Sequence, residues 1–307
     1  MTPTTSTQTT STPASSAPTR RQTPRRASRR AASPWRSPLT VIGLAIISVW
    51  VLVILFAPLI ETHDPLGQSS DRLAAPGAGH WFGTDALGRD VFSRVVAGAR
   101  ISIPVTVSLV LLSMLVGGLL GALAAYLGRV LDETIMRIAD IVFAFPTIIL
   151  AMVIAAALGP SLFNAVIAML LVSWPAYARV TRSLVLGAKN YEYVIAGRLL
   201  GSGPFTSLRR DILPNVVAPV LVLGTLDLGT AILTLSGLSF LGLGNVPPTP
   251  EWGSIVADGM QQFSSWWIAT SAGLAIFSIV VAVNFVGDAL RDSLDPQSQR
   301  AVKGRTL

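Results

Sequence analysis

Six apolar stretches alternate with polar segments along the chain. Residues 39–60 form an uncharged run, long enough as a helix to cross the ~30 Å hydrocarbon core of a bilayer. It is too long and too poorly flanked to read as a cleaved signal peptide. Residues 101–127, 138–158, 162–177, 216–243 and 266–286 form five more spanning candidates. In the second, Gly117, Gly121 and Ala125 recur every four residues, a spacing that lets a neighbouring helix approach closely. Pro104, Pro146, Pro175 and Pro219 are expected to kink their helices. The pattern predicts an all-α, polytopic membrane protein with six transmembrane helices.

The polar segments divide the rest. Residues 1–37 are rich in Thr, Ser, Pro, Ala and Arg, contain no acidic residue and cannot bury a core, so a disordered basic tail is expected there. An Arg- and Ser-rich start also resembles a transit peptide, but its prolines spoil an amphipathic helix. Residues 61–100 are mixed polar, with a short amphipathic helix expected near 90–97. A loop rich in Pro and Trp covers 245–265, and a polar tail covers 287–307.

The longest basic insert is 191–214. Glu192 to Leu200 contains good helix formers, and Gly201 suits the position after a helix end, where a left-handed backbone favours glycine. Gly203-Pro204 fits a second helix start, and Leu213-Pro214 marks the return to the membrane. Ala196 and Gly197 leave a low-relief face that another protein's backbone can approach. On spacing alone, an ordinary loop between membrane helices and a docking surface both fit.

Charge fixes an orientation. With six spans, all but four of the 23 Lys and Arg residues fall on the side of the termini and the insert; Arg72, Arg89, Arg94 and Arg100 lie opposite. The positive-inside rule puts both termini and the insert in the cytosol. The net charge of +7 is thereby explained by topology, and no nucleic-acid partner is expected. The basic tail suits anionic lipid. Composition agrees with a membrane protein: 51% hydrophobic, 13% charged, mean hydropathy +0.61.

Candidate chemistry is sparse. No Gly-x4-Gly-Lys-Ser/Thr loop is present, and neither lysine, Lys189 or Lys303, follows a glycine-rich turn, so the chain is not expected to be an ATPase or any other enzyme. There is no cysteine. His63 and His80 have no companions at metal-ligand spacing in the sequence, so solvated surface histidines and no metal site are expected. Intramembrane charges are expensive and suspect by default. Asp227, midway along the fifth span, reads equally as a partnered packing carboxylate or as part of a translocation route. Asp140 is expected to pair with Arg137, and Asn284 to bond across helices.

These motifs carry a resemblance. The insert resembles the coupling loop of bacterial ABC importer membrane subunits, with Ala196, Gly201 and Leu213-Pro214 on that family's positions; Ile195, Gly197 and Asp211 depart from it. Phe82-Gly-Thr-Asp-Ala-Leu-Gly-Arg-Asp-Val-Phe-Ser-Arg94, Met136 to Pro146, Leu238-Ser-Phe-Leu-Gly-Leu-Gly244, Pro247 to Gly253 and Asn284 to Pro296 are similar to dipeptide/oligopeptide/nickel permeases, specifically the second permease subunit; Leu235 departs from a common Glu. The resemblance implies a type I ABC importer transmembrane domain for peptides or, alternatively, nickel chelates or another small solute. Its organisation would be a tail (1–37), a first helix and outer segment (38–97), a permease core (98–288) and a cytoplasmic C-tail (289–307). It implies a homologous permease partner in a heterodimer, two ABC ATPase subunits and an extracytoplasmic substrate-binding protein. It implies no cofactor on this chain, since ATP would be bound by the partner ATPases. The coupling residues it implies are Glu192, Ala196, Gly197, Arg198, Leu200, Gly201, Leu213 and Pro214, with Asp227 and Asn284 as candidates for the path. Arg198, Arg209 and Arg210 read either as contacts to the ATPase or lipid, or as topology alone. An ion-coupled secondary transporter would need paired intramembrane carboxylates or inverted repeats, for which Asp227 alone is thin support; a membrane scaffold without transport is a third reading.

Overall fold

A computed structural model describes residues 34–294. Most of the basic tail and the end of the chain, including the expectation of disorder at 1–33, lie outside the described residues. The last residues assigned to the tail are structured: Pro34–Arg36 form a 3₁₀ turn, and Ser37 caps α1 (Pro38–Ile60) by accepting the Thr40 N–H at 3.2 Å. Ser at the cap followed by Pro in the first turn is a strong helix start.

The remaining helices are α2 (Val91–Leu127), α3 (Arg129–Phe143), α4 (Thr147–Leu158), α5 (Leu162–Ala188), α6 (Glu192–Leu199), α7 (Pro204–Ser207), α8 (Leu213–Phe240), α9 (Trp252–Met260) and α10 (Trp266–Leu294). Among the described residues, five helices are long and apolar enough to cross a membrane: α1, α2, α5, α10 and the run 205–240, in which α7 continues through a π turn at Leu208–Ile212 into α8. The helices α3 and α4 supply the sixth crossing only as a pair bent by 92°.

Several boundaries differ from the sequence reading. No separate helix occupies 90–97; Asp90 caps α2 by accepting the Ser93 N–H at 2.8 Å, and α2 runs unbroken past Arg100. The third span is not straight. Pro146 lacks an N–H and disfavours helical backbone at the residue before it, so the apolar run breaks there into two helices. Asp140 pairs with Arg179 of α5 at 2.7 Å rather than with Arg137, because the bend lays α3 across α5. Arg182 holds Asp132 in the same way, with Nη2 to Oδ2 at 2.7 Å. The helices α5 and α10 each outlast their apolar runs by at least two turns.

The α2–α5 pair is the most extensive helix contact. A Cβ at Gly117 would collide with the Trp174 carbonyl and Tyr177, and one at Gly121 with the Ala178 carbonyl. The four-residue spacing therefore serves the close approach expected of it. At the end holding residues 61–90, a second core gathers α1, α2, α9 and α10 around the fully buried Trp252. Its indole donates to the Val95 carbonyl at 2.9 Å and meets Trp50 edge-on at 4.9 Å.

Candidate functional site

At the bundle end opposite residues 61–90, α6 lies as a short surface helix. Val194 is its only buried residue and packs into a cluster with Ile212, Val216 and Tyr177, which fixes the helix to the bundle by one side. Tyr193 adds a polar tie: Asn215 Nδ2 donates to its hydroxyl at 2.9 Å, and that hydroxyl donates to the Asp211 carbonyl at 3.3 Å. The helix ends in a Schellman turn. Ser202 N–H reaches the Gly197 carbonyl and Gly201 N–H the Arg198 carbonyl, both at 3.0 Å, with Gly201 at φ +90°. This is the conformation expected at Gly201 from sequence.

The rest of α6 is free. Glu192 is exposed in the first turn, where an acidic side chain suits the helix dipole. Ile195, Ala196, Arg198, Leu199 and Leu200 are exposed, Leu199 and Leu200 at 83% and 89%, and Phe205 beyond them at 74%. Gly197 is half-buried, and a Cβ there would meet Asp211 and Ser202 only at 3.7 Å, so the position has room. Arg198 lies 5.8 Å over the Tyr126 ring, and Lys189 at 4.9 Å. Leu213 and Pro214 open α8, both exposed. The structure thus brings all eight coupling candidates to one end of the bundle. Arg209 and Arg210 sit in the π turn beside them.

The two path candidates separate. Asp227 of α8 accepts a 2.7 Å hydrogen bond from the Tyr177 hydroxyl of α5, a side chain 1% exposed. That gives the carboxyl the partner that the packing reading requires. Asn284 does not bond across helices; its Nδ2 donates to the Val280 carbonyl one turn back, and it packs on Gly229 of α8, whose missing Cβ leaves it space. Leu235 is 2% exposed and fills the core between α2, α4 and α5.

The opposite end holds charge that sequence reasoning did not single out. Asp85 accepts the N–H groups of Leu87 and Arg89 at 2.9 and 3.0 Å through one oxygen. Its other oxygen holds Arg89 Nε at 2.6 Å and lies 3.5 Å from Arg94 Nε. Asp258 of α9 completes the cluster, 3.5 Å from Arg89 and 3.9 Å from Arg94. Burial pushes the Asp258 carboxyl up, against the pull of Arg94 and Arg89. Glu251, 1% exposed, caps α9 by accepting from Gly253 and Ser254 N–H, both at 3.0 Å, and takes the Ser102 hydroxyl at 3.2 Å. Burial raises its carboxyl above the ordinary range despite those donors. The signal was in the sequence, in the motifs 82–94 and 247–253, but spacing did not reveal that one locks onto the other.

The histidines also depart from expectation. His63 and His80 stack with ring centroids 4.6 Å apart, and both turn Nδ1 toward Asp90 Oδ1, at 3.8 and 2.8 Å. Asp90 comes beside both rings because the outer segment folds back onto the start of α2.

Comparison with known proteins agrees with these features. Residues 117–300 match the family model described as binding-protein-dependent transport system inner membrane component. The chain is 43% identical over 277 residues to a dipeptide transport system permease protein of Alkalihalophilus pseudofirmus, covering 87% of this chain and 91% of that one. It is 42% identical to a probable D,D-dipeptide transport system permease protein of Escherichia coli (85% and 89% covered) and 43% identical to a di/tripeptide transport system permease protein of Pseudomonas aeruginosa (84% and 88%). A bundle of membrane-length helices, a surface helix ending in a glycine turn, and identity above 40% along most of the sequence place this chain in the family of binding-protein-dependent transport system inner membrane components, the permeases of ABC importers.

Proposed function

We infer that the chain is the membrane-spanning permease subunit of an ATP-driven importer of di- or oligopeptides, and that α6 is the helix through which an ABC ATPase drives it. The exposed apolar side chains Ile195, Leu199 and Leu200 carry the reading: they lie uncovered on and at the end of a helix anchored at one buried point, with exposed Phe205 of α7 just beyond the turn. Peptide as cargo is supported by relatives named as dipeptide or di/tripeptide permeases.

The proposed cycle follows from rigid attachment. One α6 sits in a groove on each ATPase, this chain providing one and a homologous permease the other. Closure of the ATPases on ATP draws the two helices together. Because Val194 and Tyr193 tie α6 to the start of α8, and Arg182 with Asp132 and Arg179 with Asp140 tie α5 to α3, the displacement passes into the bundle. The path opens beneath a binding protein docked at the end holding residues 61–90, and hydrolysis resets it. The Lys and Arg distribution supports the α6 end as cytosolic, with the first helix entering from that side. This chain supplies no catalytic group for ATP; its part is mechanical.

The double substitution Leu199→Asp and Leu200→Asp tests the reading. Both side chains touch solvent, so the chain keeps its thermal stability while association with its ATPases weakens by about tenfold or more, as for hot-spot residues worth ~2 kcal/mol. Unchanged ATPase association and unchanged peptide uptake would remove α6 from the coupling role.

A further inference from the structure

We propose that His63, His80 and Asp90 form a binding site for a first-row divalent transition metal such as Zn²⁺, placed at the bundle end opposite α6. Three separate segments meet there. His63 follows the end of α1, His80 lies in the outer segment, and Asp90 is the cap of α2. One ligand atom from each falls within 4.8 Å of the other two.

The donor set suits the ion. Two neutral imidazoles and one carboxylate give a site of net charge −1, with nitrogen donors that favour Zn²⁺, Co²⁺ or Cu²⁺ over the oxygen-seeking Ca²⁺ and Mg²⁺. Metal–ligand bonds of about 2.0–2.2 Å bring the ligand atoms of one ion to about 3.3 Å from each other. His80 Nδ1 and Asp90 Oδ1 are already 2.8 Å apart, and His63 Nδ1 stands 3.8 Å from that oxygen. A small rotation of the His63 ring closes the gap. That ring is free to make it, its side chain being 45% exposed.

The surroundings hold the carboxylate ready. The Ser93 N–H fixes Asp90 Oδ2 at 2.8 Å, which leaves Oδ1 facing the two rings. The His63 backbone N–H donates to Ser93 Oγ at 3.1 Å, which positions the backbone of this segment, and the exposed Thr62 hydroxyl, 3.1 Å from His63 Nδ1, is the contact that the ring rotation gives up. The Ser93 N–H accounts for the cap on α2 by itself, and does not account for two imidazoles set ring to ring at 4.6 Å, tilted by 35° and both turned toward the other carboxylate oxygen. A bound ion would tie the end of α1 to the start of α2.

The sequence makes the test clean. The chain has two histidines and no cysteine, so any imidazole-bound metal belongs to this site. The full-length chain, purified without a polyhistidine tag and placed in nanodiscs, is titrated with Zn²⁺ by calorimetry and with Co²⁺ by visible absorption. The expected result is one ion per chain with a Kd of about 10 μM or tighter, and a rise in melting temperature with added Zn²⁺, since the ion binds the folded state. His63→Ala, at an exposed position, leaves the metal-free melting temperature unchanged and weakens binding by at least about tenfold, with the Zn²⁺-dependent rise lost. No saturable binding up to about 1 mM Zn²⁺, or the same affinity in wild type and His63→Ala, would overturn the proposal. Neither outcome bears on coupling through α6, which lies at the other end.

Discussion

Asp85→Ala lowers the stability of the folded chain by about 3–5 kcal/mol, the range for removing one partner of a buried ion pair. Arg89 and Arg94 are 5% and 3% exposed, and both depend on this carboxylate. Without it the one carboxylate left beside them is Asp258, more than 3.4 Å away on a side chain 41% exposed, and Arg94 keeps only long contacts to the Pro65 and Pro248 carbonyls besides. The two backbone N–H groups that Asp85 accepts are orphaned as well. The loss therefore combines uncompensated charge with unmade hydrogen bonds, and it strikes where the outer segment, α2 and α9 meet. Asp85→Asn keeps an oxygen for the backbone but not the charge, and falls between wild type and alanine. Thermal unfolding of the chain in nanodiscs reads the order directly; an alanine variant melting within about 2 °C of wild type would show that the cluster is not holding the segment.

Gly201→Val separates ATP hydrolysis from transport. The glycine sits at φ +90°, and a valine held there is strained by about 1–3 kcal/mol. No atom lies within 4 Å of where its Cβ would stand, so the strain comes from the backbone and not from collision. It is relieved by unwinding the Schellman turn, which moves the α6 end while leaving the bundle cores untouched. If that energy is lost from coupling, peptide uptake per ATP falls by roughly 5- to 150-fold. Assembly persists, because Val194 still anchors the helix. Gly201→Asn, which tolerates positive φ better, retains more uptake than valine. Normal uptake per ATP in Gly201→Val would remove the turn from the mechanism.

What the sequence disclosed follows from how locally each feature is encoded. Apolar runs gave the spanning helices, since a bilayer demands them one at a time. Gly201 marked a helix end through its own backbone chemistry, whereas the Ser37 cap of α1 was hidden inside a segment read as tail. The four-residue row of Gly117 and Gly121 announced a close contact, though not that α5 fills it. The break at Pro146 was marked by its proline and hidden by the unbroken apolarity around it, because hydropathy carries no direction. Asp140 illustrates a second limit: Arg137 is near in sequence, but the bend brings Arg179 nearer in space. The extent of α2 was missed because its polar first turns lie against buried residues of the outer segment and α9, and a helix covered in this way needs no apolar surface for lipid. At the α6 end, the eight candidates could be named together because they lie within one short segment. At the other end, Asp85, Arg94, Glu251 and Asp258 come from distant segments, as do the histidines and Asp90, and chain separation conceals their meeting.

The central claim is that ATP bound by partner subunits drives peptide through this permease. The most direct test is uptake of a labelled dipeptide into proteoliposomes containing the chain, its partner permease and its ATPases, with the binding protein supplied from outside. The account predicts uptake that requires ATP and the binding protein, stops when the ATPases carry a catalytically dead substitution, and is indifferent to a protonophore. Uptake that survives dead ATPases and collapses with the protonophore would contradict it, and would assign this bundle to an ion-coupled transporter instead.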